Sequence, residues 1–457
     1  MTQIQPITQE KTMTWDTLVV GLGVTGLSVA RYLSEKEYNF AVTDSRKLPP
    51  GSKELQQNYP NVPTYFGSFN EDIFTQAKSL VVNPGVAVST PEIQAAKKAG
   101  AEIIGDVELF AREAKAPVIG ITGSNGKTTV TTLLQLMAKE SQVVAQTGGN
   151  IGTPALDLLI AEDTELFILE LSSFQLETCP SLKTATAVVL NISEDHLDRY
   201  DDLAHYAATK STIYNNCQQV IVNRDDPYAM ALAKGKSSIS FGLDIPEEGH
   251  YGLCIKDGKT WLAKGTECLL DVATMKLQGK HNQLNALAAI AMGDVVGLQR
   301  SAMLSVLTEY IGMEHRTEWV AEIEGVNWYN DSKGTNVGAT LAALEGLEGP
   351  IVLILGGQGK GADFSPLKQA VKNNAKAVIL MGEDADVIAN VLAASVPEYR
   401  ADSMAQAVDL ARKIAQSGDK VLLSPACASF DMFANYQARG NEFVQHVTSL
   451  ERQEGCA

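Results

Sequence analysis

A glycine-rich turn between an apolar run and a helical stretch is the part of this chain best suited to chemistry. Residues 120–129 read GITGSNGKTT and follow the apolar run 117–119. Such a turn wraps backbone N–H groups around phosphate oxygens, while Lys127 neutralises charge and the Thr128 hydroxyl ligates Mg²⁺. Ile121 stands where the standard phosphate loop has glycine. The turn therefore predicts a variant nucleoside triphosphate site, with an incidental glycine turn as the alternative.

A second glycine turn lies near the start of the chain. The apolar run 17–20 leads into GLGVTG and a helical stretch, and the apolar run 39–43 ends at Asp44. Asp44 lies roughly 20 residues after the glycines, where a dinucleotide-binding unit places its ribose-binding acid. NAD and other diphosphate ligands remain open, because the backbone serves any diphosphate. A third turn, Asn83-Pro84-Gly85, follows the apolar run 79–82 and is locally best explained as a connection.

Polar side chains also follow two later apolar runs. Glu170 ends the run 166–169, where it could ligate Mg²⁺ beside a phosphate loop or simply cap the next helix. Residues 191–200, NISEDHLDRY, form a dense polar cluster in which His196 could hold a metal or a phosphate, or be a surface residue. Lys210, in a helical stretch predicted over 203–215, is by composition a solvated surface lysine.

Alternating apolar runs and helical stretches predict an α/β protein of three domains. The chain has 457 residues, and a single core stops growing at about 250 to 300 residues. We expect an N-terminal Rossmann-like domain over 1–106, a central P-loop-type mononucleotide-binding domain over 107–312 and a C-terminal Rossmann-like domain over 313–457. Residues 251–265 predict a hairpin, and 279–285 open an alanine-rich helix.

Composition narrows the functional classes. A net charge of -17, from 37 basic and 54 acidic residues, disfavours nucleic acid and anionic membrane surfaces as partners. The six cysteines show no CxxC pair, so we expect neither a disulfide framework nor a zinc knuckle. No apolar segment reaches the roughly 20 residues needed to span a membrane, so we expect a soluble protein whose first dozen residues are disordered. The cysteine pattern favours a reducing, cytoplasmic setting, and we expect a monomer.

Eight motifs, taken in chain order, closely resemble the Mur ligases over nearly the whole chain. They are GITGSNGKTT, LELSSFQLE, NISEDHLDRY, GKHNQLNALAA, MEHR, NDSKGTN, GGQGK and SPACASFDMFANYQARGNEF. The resemblance implies an ATP-dependent ligase that joins D-glutamate to UDP-N-acetylmuramoyl-L-alanine through an acyl phosphate, in peptidoglycan precursor synthesis. It also implies three domains that bind, in turn, the UDP-sugar substrate, ATP and the amino acid, with a closing hinge near residues 312–316.

The resemblance also implies a role for individual residues. ATP would be bound by Gly123, Ser124, Asn125, Gly126, Lys127, Thr128, Thr129, Asn282, Asn285, Arg316 and Asp331. The UDP substrate would be bound by Gly23, Val24, Thr25, Asp44, Ser45, Arg46, Asn83, Gly85, Asn150, Gln175 and His196. D-Glutamate would be bound by Lys333, Thr335, Lys360, Ser429 and Tyr436. Two Mg²⁺ ions would be held by Thr128, Glu170, His196 and Lys210 as its carbamate, so that Lys127, Glu170, His196 and Lys210 are the expected catalytic set.

Two points refine this expectation. Tyr436 departs from the family, in which phenylalanine is usual, and its hydroxyl could add a hydrogen bond or only tolerate solvent. An Asp-Asn-Pro-Arg signature, which would point to the diaminopimelate-adding ligase, is not recognisable in the chain.

Three rival classes remain. A folylpolyglutamate synthetase would share the middle domain but leave the N-terminal glycine turn unexplained. A nicotinamide oxidoreductase would explain that turn but not the triphosphate loop. A non-catalytic nucleotide-binding switch would need neither the metal carboxylate nor the lysines of the third domain.

Overall fold

The computed structural model describes residues 15–195, 199–277, 279–347 and 349–454, with side chains described as far as residue 450. It divides into two compact units. The first comprises the chain up to Ala116 together with Gln146–Lys183, and the second comprises Pro117–Ala145 together with the chain from Thr184. The predicted domain boundaries at residues 106 and 312 stay predictions. The dozen residues expected to be disordered lie outside the described residues, as does His196.

The first unit begins with a five-stranded parallel sheet of order β3-β2-β1-β4-β5. Its elements are β1 (Thr17–Val20), α1 (Val24–Glu35), β2 (Phe40–Asp44), α2 (Ser52–Asn58), β3 (Thr64–Phe66), α3 (Glu71–Thr75), β4 (Ser79–Val82), α4 (Pro91–Lys98), β5 (Glu102–Ile104) and α5 (Asp106–Glu113). The strand order reverses direction between β1 and β4, which is where doubly wound sheets open a crevice for ligands. One core cluster, built around buried Leu18, Phe74 and Leu80, supports this sheet.

The middle of the chain alternates strands and helices in the same manner. Its elements are β6 (Val118–Thr122), α6 (Lys127–Glu140), β7 (Ala145–Gly149), β8 (Leu166–Glu170), α7 (Ser173–Leu176), β9 (Thr184–Val189), α8 (Leu203–Ser211), β10 (Cys217–Asn223), α9 (Pro227–Leu232), β11 (Ser238–Phe241), β12 (Tyr251–Lys256), β13 (Lys259–Lys264), β14 (Glu267–Asp271), α10 (Lys280–Val295) and α11 (Arg300–Glu309). Short 3₁₀ helices span Ala155–Ile160, Thr212–Tyr214 and Val272–Thr274. Within the second unit, the strands follow the order β14-β13-β12-β11-β10-β9-β6.

The predicted hairpin is present and extends into a third strand. Strands β12 and β13 pair antiparallel, as do β13 and β14. This meander pairs Cys254 with Cys268 as a disulfide. The cysteine spacing led us to expect no disulfide framework and gave no sign of this bond, because the two cysteines meet only when β14 folds back past β13.

The last part of the chain forms a six-stranded sheet of order β15-β16-β20-β17-β18-β19. Its elements are β15 (Glu318–Ile323), β16 (Val326–Asn330), α12 (Val337–Gly346), β17 (Ile351–Gly356), α13 (Leu367–Asn374), β18 (Ala375–Met381), α14 (Ala385–Leu392), β19 (Glu398–Arg400), α15 (Met404–Ile414), β20 (Lys420–Leu423) and α16 (Tyr436–Glu454). All pairs are parallel except β15 with β16. Two buried clusters pack against this sheet and hold it between layers of helices.

Buried strands explain why the apolar runs were readable in the sequence. Strands β1, β6, β8 and β17 are buried at every position, as expected for parallel strands covered on both faces. Among the described residues, no helix combines the length and the apolar character needed to cross a membrane.

Candidate nucleotide and acceptor sites

The predicted phosphate loop connects buried β6 to the start of α6. Gly126, the residue before this helix, has a φ of +85°, a conformation that favours glycine. A Cβ at Gly126 would also lie 2.5 Å from the Oδ1 atom of Asn285. The loop is held from the end of β9, because the Asn125 N–H donates to Asn191 Oδ1 at 2.8 Å and the Ser124 N–H to the Asn191 carbonyl at 2.9 Å.

The side chains expected to meet phosphate and metal are engaged by other groups of the second unit. Lys127 Nζ donates to the carbonyls of Gly123 and Ser124, at 2.8 and 2.9 Å. Arg316 Nη2 donates to the Thr128 hydroxyl at 2.5 Å. These contacts place two cationic groups at the loop, where an anionic ligand would be attracted.

A cavity of about 300 Å³ opens beside the phosphate loop. It brings together seven residues predicted to bind ATP, namely Asn125, Gly126, Thr129, Asn282, Asn285, Arg316 and Asp331. The Asn285 side chain donates to Asn282 Oδ1 at 3.2 Å across one turn of α10. Four other predicted residues, Gly123, Ser124, Lys127 and Thr128, lie in the loop but do not line this cavity. The cavity has the size and the mixed polar and apolar lining expected of a small-ligand site.

Burial shifts the pKa of two groups that line the cavity. It raises the pKa of Asp331 to about 6, which hydrogen bonds from Ser424 and Thr317 partly oppose. Burial also lowers the pKa of His281 to about 4. The imidazole of His281 is therefore neutral near pH 7, which suits a contact with an uncharged nucleobase.

Lys210 is buried, contrary to the surface position that its composition suggested. Its side chain lies on the inner face of α8, where Nζ donates to Thr122 Oγ1 at 3.3 Å. The same nitrogen stands 4.7 Å from the centre of the Tyr206 ring. A buried amine is costly unless it has a partner or a function, so the reading as an ordinary solvated lysine is wrong.

Glu170 fits the role of a metal ligand in its local chemistry. The side chain is buried, and its Oε1 atom accepts a hydrogen bond of 2.8 Å from Asn150. Its Oε2 atom is buried and has no hydrogen-bond partner among the described residues. A buried carboxylate oxygen left unpaired is a donor that a hard cation such as Mg²⁺ would satisfy. Thr128 lies in the other unit, so a shared ion stays a prediction.

No cluster of three or more His, Cys, Asp or Glu side chains that could hold a metal exists in the described part of the chain. The expected metal ligands include a hydroxyl and a modified lysine, so this finding does not bear on them.

The first glycine turn and Asp44 come together in the first unit. The Leu22 N–H donates to Asp44 Oδ2 at 2.8 Å, and Arg46 pairs with the same carboxylate at 2.6 Å. Burial pushes the pKa of Asp44 up, but the hydrogen bonds from Arg46 and Leu22 outweigh it and leave the pKa lowered. The Asn83 side chain lies against the turn, since a Cβ at Gly21 would stand 2.9 Å from it. These contacts align the turn with the ends of β2 and β4.

The other residues predicted for the UDP substrate differ in exposure. Val24, Ser45, Arg46, Gly85 and Asn150 are exposed, whereas Gln175 is buried. The Gln175 side chain accepts from the backbone N–H of Ser172 at 3.1 Å and completes a capping box at the start of α7. This bond holds the amide in a fixed orientation.

Three segments predicted to contact D-glutamate follow neighbouring strands. NDSKGTN begins at the end of β16, GGQGK at the end of β17, and SPACAS after β20. The Ala426 N–H donates to the Gly334 carbonyl at 2.9 Å, and Gln358 and Ala428 exchange two backbone hydrogen bonds. The carboxyl ends of parallel strands thus bring Lys333, Thr335, Lys360 and Ser429 to one edge of the sheet.

Aromatic rings contact both lysines of this group. Lys333 Nζ lies 4.0 Å from the centre of the Tyr436 ring, and Lys360 Nζ lies 5.8 Å from that of Phe430. Lys360 is exposed, whereas Lys333 is partly buried. Cations over aromatic faces are attracted to them, so the segment 430–436 helps to set the position of both ammonium groups.

Several residues that hold these sites together were not singled out from the sequence. Asn191 fixes the phosphate loop, and its signal was its place in the polar cluster after a buried strand. Tyr206 contacts Lys210 and bonds with Ser124 at 3.3 Å, but no local pattern marks it. Arg439 is buried, and its guanidinium donates to Ser332 and to the Cys427 carbonyl. Their roles depend on contacts between distant segments.

Comparison with known proteins identifies the class of this protein. Residues 15–105 match the Mur ligase MurD-like N-terminal domain, residues 121–293 the Mur ligase middle domain and residues 315–427 the Mur ligase glutamate ligase domain. The chain belongs to the Mur ligase family. The predicted α/β class and the family expected from the motifs are confirmed.

Relatives over nearly the whole chain carry one name, UDP-N-acetylmuramoylalanine--D-glutamate ligase. The protein of that name from Nitrosococcus oceani is 52% identical over 95% of this chain and 96% of its own length. The one from Pseudomonas fluorescens is 50% identical over 95% of this chain and 98% of its own. The crystal structure of UDP-N-acetylmuramate-alanine ligase from Thermotoga maritima has the same fold, with a TM-score of 0.58 and 20% identity over 95% of this chain and 99% of that one. The predicted ligase class is therefore confirmed.

Proposed function

We propose that this chain joins D-glutamate to the alanyl carboxylate of UDP-N-acetylmuramoyl-L-alanine with the hydrolysis of ATP, in peptidoglycan precursor synthesis. One observation supports this most directly. The cavity of about 300 Å³ gathers seven of the residues predicted to bind ATP, and Lys333, predicted to bind the acceptor, lines the same cavity. The names of the relatives supply the identity of the two substrates.

The reaction requires activation because a carboxylate and an ammonium do not condense readily. The alanyl carboxylate attacks the γ-phosphorus of ATP, and the bond between this phosphorus and the oxygen that bridges to the β-phosphate breaks. ADP is the leaving group, and the alanyl carboxylate becomes an acyl phosphate. The neutral amine of D-glutamate then attacks the acyl carbon, phosphate departs, and the amine loses a proton to form the amide. In phosphoryl transfer, catalysis rests mainly on positioning and on electrostatic stabilisation.

The residues at the phosphate loop would supply that stabilisation. Lys127 would exchange its bonds to the carbonyls of Gly123 and Ser124 for bonds to phosphate oxygens. Arg316 would leave the Thr128 hydroxyl and turn to the nucleotide, since the two groups are now hydrogen bonded. Both movements replace hydrogen bonds from a cation to a neutral oxygen by hydrogen bonds to an anionic phosphate oxygen, which are stronger because both partners are charged.

Metal binding forms the finer part of the proposal. Thr128 and Glu170 would hold one Mg²⁺, while His196 and Lys210, as its carbamate, would hold a second. When bound, Mg²⁺ neutralises the charge of the transferring phosphoryl group. The unpaired Oε2 atom of Glu170 and the burial of Lys210 support this ligand set. A carbamate would turn the Lys210 cation into an anion with oxygen donors.

The acceptor site would recognise the two carboxylates of D-glutamate. Lys333 and Lys360 would each meet a carboxylate, while Thr335 and Ser429 would add hydroxyl donors. The rings of Tyr436 and Phe430 would hold the lysines in place between turnovers.

We also propose that the protein acts as a monomer in the cytoplasm.

Phosphate release from ATP tests the function. The protein is mixed with UDP-N-acetylmuramoyl-L-alanine and Mg²⁺, and D-glutamate, L-glutamate, diaminopimelate or no acceptor is added. Release that depends on D-glutamate alone supports both reaction and acceptor. Release with another amino acid would keep the ligase chemistry and overturn the acceptor assignment, and no release with any acceptor would overturn the reaction itself.

A further inference from the structure

The phosphate loop contacts the acceptor-binding turn through a pair of amide side chains. Asn125 lies at the tip of the loop, and Asn336 precedes the first residue of α12. Asn125 Nδ2 donates to Asn336 Oδ1 at 3.4 Å, and Asn336 Nδ2 donates to Asn125 Oδ1 at 3.3 Å. Each amide is thus both donor and acceptor for the other, an arrangement that fixes the orientation of both groups.

Both asparagines are also tied to their own surroundings. Asn336 Oδ1 accepts from the Ala339 N–H at 2.8 Å and so caps α12, while its Nδ2 donates to Asp195 at 3.4 Å. Asn125 is held through its backbone to Asn191. A shift of the loop tip would therefore act on the start of α12.

The first turn of α12 also lies close to Asn125 at Gly338. A Cβ at Gly338 would lie 2.7 Å from Ser193 Oγ and 3.3 Å from Asn125 Nδ2. A larger residue at this position would have to displace Ser193 and would crowd Asn125, so glycine favours the close approach of α12 to the loop. This observation is independent of the amide pair and indicates the same contact.

The contact joins the two binding regions of the proposed function, on which this inference rests. Thr335 directly precedes Asn336, and Lys333 lies three residues before Asn336. Both are proposed to grip D-glutamate, whereas the loop amides around Asn125 are proposed to hold phosphates. We infer that Asn336 is a positioning residue that couples ATP binding to D-glutamate binding.

The coupling has a definite sign. Either ligand orders the segment on its own side of the amide pair, and the pair then orders the other segment. The second ligand consequently loses less conformational freedom on binding, which gives positive cooperativity. Reciprocity requires that each ligand strengthen the binding of the other by the same factor.

Two substitutions disrupt the pair to different extents while keeping the helix cap. In Asn336→Ser the hydroxyl still caps α12, because serine is a preferred capping residue, but it is too short to reach Asn125. In Asn336→Asp the side chain keeps its size, its cap and its ability to accept from Asn125, but it can no longer donate to Asn125 or to Asp195. Ser403, whose hydroxyl caps α15 with a bond of 3.3 Å to the Gln406 N–H, supplies a matched control in Ser403→Ala.

The measurement is the dissociation constant of a non-hydrolysable ATP analogue, with UDP-N-acetylmuramoyl-L-alanine and Mg²⁺ present and D-glutamate added or omitted. We expect D-glutamate to tighten analogue binding at least about fivefold in the unsubstituted protein, within the usual range of such couplings. Asn336→Ser should bring this ratio close to one and raise the KM for D-glutamate by about the same factor, and Asn336→Asp, which keeps one of the two hydrogen bonds, should lower the ratio by less. Analogue binding without D-glutamate should change less than about twofold in both variants.

Several outcomes would overturn the inference. A ratio near one in the unsubstituted protein would do so, as would an unchanged ratio in both Asn336 variants. An equal loss in Ser403→Ala would show that the effect follows from a general loss of stability and not from the amide pair. The proposed function fails separately, if the unsubstituted protein releases no phosphate in response to D-glutamate.

Discussion

Tyr436 places an aromatic face under the ammonium of Lys333, only 4.0 Å from ring centre to nitrogen. The ring, and not the hydroxyl, makes this contact. Tyr436→Phe should therefore keep the KM for D-glutamate within about twofold, whereas Tyr436→Leu should raise it between about 2-fold and 30-fold, the effect of losing roughly 0.5 to 2 kcal/mol. Initial rates of phosphate release at varied D-glutamate measure both. Equal losses in the two variants would assign the role to the hydroxyl.

Lys210 combines burial with an expected chemical modification. If it carries a carbamate, protein equilibrated with ¹³CO₂ should show a carbamate carbonyl signal by ¹³C NMR, and Lys210→Arg should lose that signal. The variant should also lose turnover by at least about a hundredfold, as when a group that stabilises developing charge is removed. The exposed Lys413→Arg is the control. A signal that survives in Lys210→Arg would place the modification elsewhere.

Asp106 makes stability depend on pH. Burial raises its pKa to about 6, which amides at the start of α5 and Gln175 partly oppose, while an exposed aspartate has a pKa of roughly 3.9. The folded protein thus binds more protons than the unfolded chain between about pH 4 and pH 6, and the free energy of unfolding falls as pH rises through that window.

The substitution Asp106→Asn should remove this dependence. We expect the free energy of unfolding to rise by about 1 to 3 kcal/mol at pH 7.5 and to change little at pH 4. Urea unfolding at the two pH values measures it, and Asp72→Asn, an exposed site of the same unit, serves as the control. A loss of stability at pH 7.5 would show that the carboxylate is stabilised by its partners.

At the residue scale, chemistry was predictable from sequence only where motif and local structure coincide. GITGSNGKTT follows a buried strand and opens a helix, so its place was evident. The burial of Lys210 was not predicted because it depends on Thr122, which ends β6 and is distant in the chain. Tyr206, one turn earlier in α8, also contacts Lys210. Asn336 was missed because its partner Asn125 lies 211 positions away in the chain.

Helix α16 is attached to the proposed acceptor-binding edge of the sheet by a buried guanidinium. Arg439 donates to the hydroxyl and the carbonyl of Ser332 at 2.9 and 2.8 Å, and to the Cys427 carbonyl at 3.1 Å. Burial lowers the pKa of Arg439 to about 10, so it remains charged near neutral pH. The planar group joins two segments that no local sequence pattern connects.

Arg439→Lys should weaken that attachment, because an ammonium cannot reproduce the fork of donors. We expect a higher KM for D-glutamate and a loss of about 3 kcal/mol in the free energy of unfolding, as several charge-assisted bonds are broken. Chemical denaturation and initial rates measure the two effects. Arg412→Lys, at an exposed ion pair with Glu324, is the control. Equal behaviour of the two variants would contradict the role given to Arg439.

Strands and helices were predictable from the sequence where the local pattern of apolar side chains determines them. The apolar runs 17–20 and 79–82 are β1 and β4, and the predicted hairpin is β12 with β13. The helix predicted over 203–215 ends earlier, at Ser211, and continues as a 3₁₀ turn. Tyr214, in that turn, donates to the Ile221 carbonyl and accepts from the Val189 N–H. Such contacts between strands and turns are set by the fold, and the local sequence does not report them.

At the scale of the whole molecule, the predicted hinge contains unusual backbone conformations. Gly312 and His315, within the predicted hinge, have φ values of +104° and +64°, and Thr317, directly after it, has a φ of +46°. They lie between α11 and β15, the point at which the sequence predicted that the third domain begins. Backbone held in such conformations often marks segments that change shape during function.

Gly312→Ala should impair closure, since alanine rarely adopts this φ and its Cβ would lie 3.0 Å from Leu277. We expect kcat to fall at least about tenfold, because small misplacements of reactants cost large factors in rate, while the dissociation constant of the UDP substrate stays unchanged. Gly297→Ala, at another left-handed glycine with open space around it, is the control. An unchanged kcat in Gly312→Ala would argue against the hinge.

The arrangement of the acceptor site suggests a route to ligases with new amino-acid preferences. Strands β16, β20 and β17 are neighbours in the sheet, and each leads at the same edge into one of the segments proposed to contact the amino acid. Their interiors are largely buried, whereas the segments lie beyond them. Loops transplanted from a relative with another acceptor would therefore replace the recognition surface and leave the supporting framework intact. Selectivity in such chimaeras should follow the origin of the loops.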